Sequence, residues 1–313
     1  MRRTLLAAAA GLLLLAGCDA TKGADAAAPT AARLDLSPDQ QRITTGRVEA
    51  AAALVPARVR AAGVLHIGGT IDNTPPLSCY ATDNKTPIGF ELDIAVLTAQ
   101  VLGLTPDRQI TSWDNMFLGV DSGRYDVAFS NVSVTAERMG KYDFATYRQD
   151  LLGFESRRDS PLQVRGPADL AGHSVALASG STQEKIMLKW NDANVEAGRA
   201  PISIQYYQKA SDYYLALQSG RVDAYVGPSS TVVYHANTAG QTKLAGVVDS
   251  AADTINSQVG AMSRKGDGIA PAVSAAVDEL IRNGKYAEVL ARWGLDLQKI
   301  PDSVVNPPVS AGQ

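Results

Sequence analysis

The feature that most constrains the fold is a phrase the chain uses twice. "LGVDSGRYDVAFSN" spans residues 118–131 and "LALQSGRVDAYVGP" spans residues 215–228. Each reads as the end of a helix, then Ser-Gly-Arg, an apolar residue, Asp and a strand. Ser-Gly-Arg is a common helix exit, so one copy means little. Two copies, each followed by a strand, predict two lobes built on one plan. The flanking pattern agrees. "VLHIGG" (64–69) predicts a buried strand, "QITSW" a second and "YDVAFS" (125–130) a third. Between them "GFELDIAVLTAQVLGL" predicts a helix with Ile94, Leu97 and Val101 on one face and Gly103 at its stop. The alternation then restarts with "HSVALAS" (173–179), "STQEKIMLKW", "ISIQYY", "SDYYLALQSG" and "VDAYVG". Strands alternating with helices make this an α/β chain with mainly parallel sheets flanked by helices. Ser181 and Glu184 carry a capping-box signature. The segment from Pro271 to Leu295 returns to helix, with Val273, Val277, Leu280 and Trp293 as core.

The ends of the chain read differently. "MRRTLLAAAAGLLLLAGC" has two arginines, an apolar run and small residues before Cys18, which predicts an export signal too short to span a membrane. "LAGC" resembles a bacterial lipobox, and the resemblance implies cleavage before Cys18 and acylation of its thiol. Acyl chains contribute about 0.8 kcal/mol per buried CH₂, enough with several chains to hold the protein on an extracytoplasmic membrane face. Residues 19–53 read as a flexible tether with a short helix near its end. About 250 residues remain from Leu54 onward, enough for two lobes. A formal net charge of -3 without a basic block argues against nucleic acid. With Cys18 acylated, Cys79 has no disulfide partner and reads as a packed thiol. His66, His173 and His235 lie in no ligand motif and read as ordinary histidines, so neither a metal nor a cofactor is expected.

Ligands of open α/β sheets bind beyond the carboxyl ends of the strands. "DNTPPL", "SNVSVTAER", "SGSTQE" and "GPSST" fall at such ends. Ser133 or Thr135 can cap the helix that carries Arg138. Helix amides favour an anion there, and a guanidinium can hold a carboxylate through two parallel hydrogen bonds. Ser130, Asn131 and Ser133 offer hydrogen bonds without filling the space a ligand needs. Ser181 and Thr182 offer helix-start chemistry from the other lobe. Arg138 could instead pair with Glu137 or Asp143 at the surface, and Trp113 could be core. Asp93, Asp126 and Asp223 read as structural, and Tyr206, Tyr207, Tyr213 and Tyr214 as lobe-two packing and rim.

From about Leu54 to about Leu295 the chain resembles the bacterial extracellular solute-binding proteins of family 3, amino-acid-type receptors of ABC importers. "GFELDI" matches the family's Gly-aromatic-acid-aliphatic-Asp-aliphatic signature, although Thr98 departs from its usual apolar residue. "SNVSVTAER" matches its carboxylate site with Arg138, and "SGSTQE" the opposite loop with Ser181 and Thr182. Trp113 falls where an aromatic packs on the ligand's side chain. The resemblance implies a two-lobed periplasmic-binding-protein-like type II fold with the cleft between lobes. Lobe one would take 54–152 and 256–300, lobe two 153–255, leaving 301–313 as a C-terminal tail. It implies a monomeric, non-enzymatic receptor for an amino acid or related small carboxylate, partnered by an ABC permease. Closure would bring Arg138 and Ser181 to opposite sides of one ligand. Pro228 departs from the family, standing where an aspartate usually binds the ligand's ammonium; Asp72 is then the nearest acidic substitute. Two alternatives are a dehydratase of the same fold acting on a cyclic carboxylate, and a sensor partner. A dehydratase needs a general acid or base in the cleft; Asp72 is the candidate, with Glu184 spent on its capping box.

Overall fold

The computed structural model describes residues 34–71, 74–250 and 255–308. Two short helices, α1 (Glu49–Ala52) and α2 (Ala57–Ala62), precede strand β1 (Val64–Gly69). A small hairpin of β2 (Cys79–Tyr80) and β3 (Pro87–Ile88) leads into α3 (Phe90–Val101) and β4 (Thr105–Ile110). Next come α4 (Trp113–Asp121), β5 (Val127–Ala128), β6 (Ser133–Thr135), α5 (Ala136–Lys141) and β7 (Tyr142–Gln149). The chain then crosses into β8 (Leu151–Arg157), β9 (Ser174–Leu177), α6 (Thr182–Glu196), β10 (Ser203–Tyr206) and α7 (Ala210–Gln218). After β11 (Ala224–Pro228), α8 (Ser229–Thr238) and β12 (Thr242–Asp249) it returns through β13 (Ile255–Arg264) to α9 (Ala270–Arg282) and α10 (Lys285–Arg292).

Two sheets result, one per lobe. The first runs β4-β1-β5-β13-β6, with β7 also paired to β13; the second runs β10-β9-β11-β8-β12. In each, the strands from the repeated βα units are parallel, and the crossing strands add antiparallel pairs. The crossings are tied together at Asp150, whose N–H donates to the Ser257 carbonyl (2.8 Å) and whose carbonyl accepts from Ser250 Oγ (2.7 Å).

The duplicated phrase has a physical job. Gly123 and Gly220 take φ +74° and +73°, a left-handed turn that suits glycine and ends the helix. The aspartate that follows then clips the next strand to the lobe's first strand. Asp126 accepts from the His66 N–H (3.0 Å) and donates its own N–H back to the His66 carbonyl (2.8 Å). Asp223 does the same with Ser174, at 2.8 and 3.0 Å. Asp93 is structural as well: it accepts from Trp293 Nε1 (2.8 Å) and pairs with Arg42 (2.6 Å).

Three expectations need correction. The second strand is Thr105–Ile110, not "QITSW"; Pro106 is tolerated because β4 is an edge strand, and Ser112 instead caps α4. Residues 34–53 do not behave as a free tether. Leu34, Leu36, Ile43 and Val48 pack on the lobe-one core, and the Val48 N–H bonds to the Val101 carbonyl (2.9 Å). Residues 301–308 also join lobe one: Ser303 Oγ donates to the Thr146 carbonyl (2.7 Å), and Val305 bridges Ala145. The remainder of the expected tether, the signal and Cys18 lie outside the described residues.

Candidate ligand-binding cleft

A cleft of about 960 Å³ lies between the lobes, lined by the loops after β1, β5 and β9, by the end of β11, by the N-terminal turns of α4, α6 and α7, and by Tyr234 and His235 of α8. Of the sequence-predicted residues, Trp113, Ser130, Asn131, Ser133, Arg138, Ser181 and Thr182 all line it. Asp72 lies outside the described residues.

Arg138 is set by its own helix start. Thr135, not Ser133, is the N-cap of α5: its hydroxyl accepts from the Arg138 N–H at 3.1 Å. Arg138 is only 9% exposed. Nη1 donates to the Ser133 carbonyl (2.9 Å) and to Thr182 Oγ1 in the other lobe (3.3 Å), and Nη2 reaches the Gly180 carbonyl at 3.5 Å. The Trp113 and Phe117 rings lie 5.5 and 5.7 Å from its central carbon. Five N–H donors are available to an arginine. The Nε–H and one Nη2–H therefore remain along one edge without a hydrogen bond among the described residues. Burial pushes the guanidinium pKa down, and Asp150 and Glu137 oppose that only in part. A carboxylate laid along the free edge would supply the missing counter-charge.

The small polar residues around Arg138 are busier than expected. Ser130 Oγ accepts from the Thr70 N–H (3.0 Å), which fixes the β1 and β5 loops to each other. Ser133 Oγ donates to Asp150, and Asn131 Oδ1 accepts from Arg148. Burial raises the Asp150 pKa, with Ser133, Arg148 and Arg138 working against it. Ser133 and Asn131 thus hold the base of the cleft to the strand crossing. Ser181 also differs from expectation. Its hydroxyl donates to the Ala178 carbonyl (2.6 Å) and accepts from the Glu184 N–H (3.2 Å), while Glu184 accepts from the Gly180 N–H (2.6 Å). This is a capping box whose glutamate reaches one residue past the N-cap, so the Ser181 side chain is engaged at its own helix start, and Thr182 is the hydroxyl that meets Arg138.

The lobes also touch through Glu137 and Lys185, an exposed pair of small energetic weight, and through Gln298 Nε2 to Ser229 Oγ at 3.1 Å. Pro228 ends β11 at the cleft wall and offers neither charge nor amide hydrogen. Beside it Tyr225 folds back over Gly227, where a Cβ would lie 2.3 Å from its hydroxyl. Tyr225 stacks on Tyr213 (3.9 Å between centroids), and Tyr214 stacks on His235 (3.4 Å). Tyr213 and Tyr214 pack as expected, and together with Tyr225 they line the cleft. His235 does too, and sequence reasoning passed it over. Its Nδ1 lies 2.5 Å from Glu155, 80 residues away in the chain, and no local spacing marks that pair. Among the described residues no group of three or more His, Cys, Asp or Glu could hold a metal, and no helix is long and apolar enough to cross a membrane.

Two α/β lobes with a cleft between them have the architecture of the two-lobed solute-binding proteins. The comparisons carry this further. The model of the bacterial extracellular solute-binding proteins, family 3, matches residues 67–296, and the chain belongs to that family. The L-cystine-binding protein TcyJ of Escherichia coli (strain K12) is 27% identical over 255 residues, 77% of this chain and 87% of that protein. The arginine-binding protein ArgT of Corynebacterium glutamicum is 26% identical over 256 residues, 81% and 82% of the two chains. A cyclohexadienyl dehydratase of Pseudomonas aeruginosa matches at 28% over 165 residues, 50% of this chain and 58% of that protein. Among solved structures, AbpA, an amino acid ABC transporter substrate-binding protein of Streptococcus pneumoniae bound to L-arginine, superposes with a TM-score of 0.64 at 20% identity. It covers 78% of this chain and 100% of that one, and speaks to the fold.

Proposed function

We propose that the protein is a membrane-anchored receptor of an ABC importer that closes its lobes on an amino acid or related small carboxylate. Lobe one would comprise 54–152 and 256–300, lobe two 153–255, and acylated Cys18 the anchor. The observation that carries the reading is Arg138, a buried guanidinium facing the cleft with one donor edge unspent. Trp113, half-buried against Phe117, would border the ligand's body, and Thr182 would close over its carboxylate. Ser130, Asn131, Ser133 and Ser181 would shape this wall through the bonds they make within the protein. The names of the cystine- and arginine-binding relatives support the ligand class.

Calorimetry with the proteinogenic L-amino acids and L-cystine tests the reading. At least one should bind, and Arg138→Ala should weaken it by about 3 kcal/mol, the worth of two charge-assisted hydrogen bonds less the bonds Arg138 already makes. A loss below about tenfold, near 1.4 kcal/mol, would place the carboxylate elsewhere. The dehydratase relative keeps a cleft enzyme as the second reading. Turnover of a cyclic carboxylate would establish it in place of the first.

A further inference from the structure

The family resemblance implies an aspartate at position 228 for the ligand's ammonium, and here that position is Pro228. Leaving an ammonium buried without an acceptor is expensive, so a zwitterionic ligand needs another one. This step rests on the amino-acid reading above. The acids that line the cleft among the described residues are poor substitutes. Glu91 is 1% exposed and already accepts from Tyr147 Oη at 2.5 Å, and Asp114 sits exposed at the rim. Neither belongs to the lobe-two wall.

We propose that His235, oriented by Glu155, is the lobe-two acceptor for the ligand's ammonium. Glu155 is fully buried on β8, between Tyr225 of β11 and Leu244 of β12 in the sheet register. One of its oxygens meets His235 Nδ1 at 2.5 Å; the other has no hydrogen-bond partner. Among the described residues His235 is the basic group it pairs with. An ionised carboxylate accepts only, so the hydrogen of a neutral imidazole sits on Nδ1 and the lone pair falls on Nε2. Nε2 makes no hydrogen bond among the described residues, the ring is 18% exposed, and it lines the cleft. The Tyr214 ring, stacked at 3.4 Å, keeps the imidazole from turning. Helix α8 is held on β8 where Gly153 lets Val232 and Ser229 approach. The negative charge of Glu155, which cannot itself reach the ligand, is thereby presented through the ring as a polarised acceptor. His235 is the ligand contact and Glu155 the positioning residue.

The test compares each L-amino acid that binds with its desamino acid, by calorimetry, on wild type and on His235→Ala, His235→Gln, Glu155→Gln and Asp72→Asn. Thermal unfolding checks that each variant folds. Wild type should prefer the amino acid by tenfold or more. His235→Ala should lower that preference about tenfold while leaving the desamino acid's affinity unchanged. His235→Gln, which keeps an acceptor oxygen, should restore part of it, and Glu155→Gln should reduce it. A preference that survives His235→Ala, or that collapses with Asp72→Asn alone, overturns the proposal while the receptor reading stands on Arg138→Ala. Failure of every amino acid to bind wild type overturns both.

Discussion

Gly89 opens the "GFELDI" motif, and replacing it with alanine should destabilise the protein more than any ordinary glycine change. Its φ is +132°, a conformation L-residues avoid, and a Cβ there would lie 2.3 Å from the Leu77 carbonyl oxygen and 2.9 Å from Ser78 Cα. Both obstacles are backbone, so no side chain can swing away. The same close approach lets the Phe90 and Glu91 N–H groups donate to the carbonyls of Pro76 and Leu77, each at 3.0 Å. These bonds satisfy the first amides of α3, whose N-cap has no side chain. Backbone strain costs roughly 1–3 kcal/mol. Displacing the loop adds a further 1–3 kcal/mol or so. Hydrogen bonds at risk are worth about 1 kcal/mol each. A loss of roughly 3–6 kcal/mol follows, or on the order of 6–20 °C in Tm at this chain length. Two other glycines calibrate the result. Gly294 has φ +66° with nothing within 4 Å of a Cβ, so Gly294→Ala reports the left-handed penalty alone, about 1 kcal/mol. Gly140 sits in α5 in open space, and Gly140→Ala should stabilise by about 0.5 kcal/mol. Urea denaturation of the three variants measures the differences. If Gly89→Ala loses no more than Gly294→Ala, the contact with Leu77 is not what fixes the motif.

Two further predictions concern the edges of the molecule. Burial pushes the Asp143 pKa up, but the Gly266 N–H, the Asn306 amide and Lys265 outweigh it and hold the carboxyl below its ordinary value of 3.8. A lowered folded-state value means stability that is present above the ordinary value and lost as pH falls through the folded one. Asp143→Asn should therefore be less stable than wild type at pH 7, with the gap closing in acid below 3.8; a gap that does not depend on pH would refute the assignment. For the anchor, growth on labelled fatty acid should label the protein and Cys18→Ala should release it to the medium; equal membrane retention of the variant would defeat the reading.

How far the sequence reaches depends on whether a feature is local. The two-lobe plan was readable because Ser-Gly-Arg-x-Asp is one local device used twice: a glycine turn, then an aspartate that clips two strands. The local setting of Arg138 was readable because its cap, its helix and its small neighbours all lie between Ser130 and Lys141 in one stretch. Other features depend on partners far along the chain. Leu36, Ile43 and Val48 have no period, so nothing in residues 34–53 announces that they cover the lobe-one core. The commitments of Ser133 and Asn131 to Asp150 and Arg148 cross from a loop to the strand crossing. Glu155 and His235 meet only because β8 runs antiparallel beside β11 and α8 packs over both. Ser181 shows the opposite error: its capping-box role was legible, and a hydroxyl so employed has little left for a ligand.

These placements bear on how the cleft couples closure to its cargo. Among the described residues, Arg138 is the lobe-one cation that reaches across to Thr182 and Gly180 while still facing the cleft. The guanidinium is buried where it makes these contacts, and burial disfavours its charge. Asp150 would be the natural counter-ion, yet it is turned toward Ser133 at the strand crossing and is itself pushed toward its neutral form by burial. On the receptor reading, closure would hold a partly compensated cation in a low-dielectric cleft, and a carboxylate beside it would remove that penalty. A ligand that supplies the charge binds the closed form better than the open one, which is the differential affinity a population shift requires. A neutral molecule of the same shape does not. On the receptor reading the network at the crossing would serve selection as much as stability, because it turns Asp150 toward Ser133 and leaves the Arg138 charge only partly compensated.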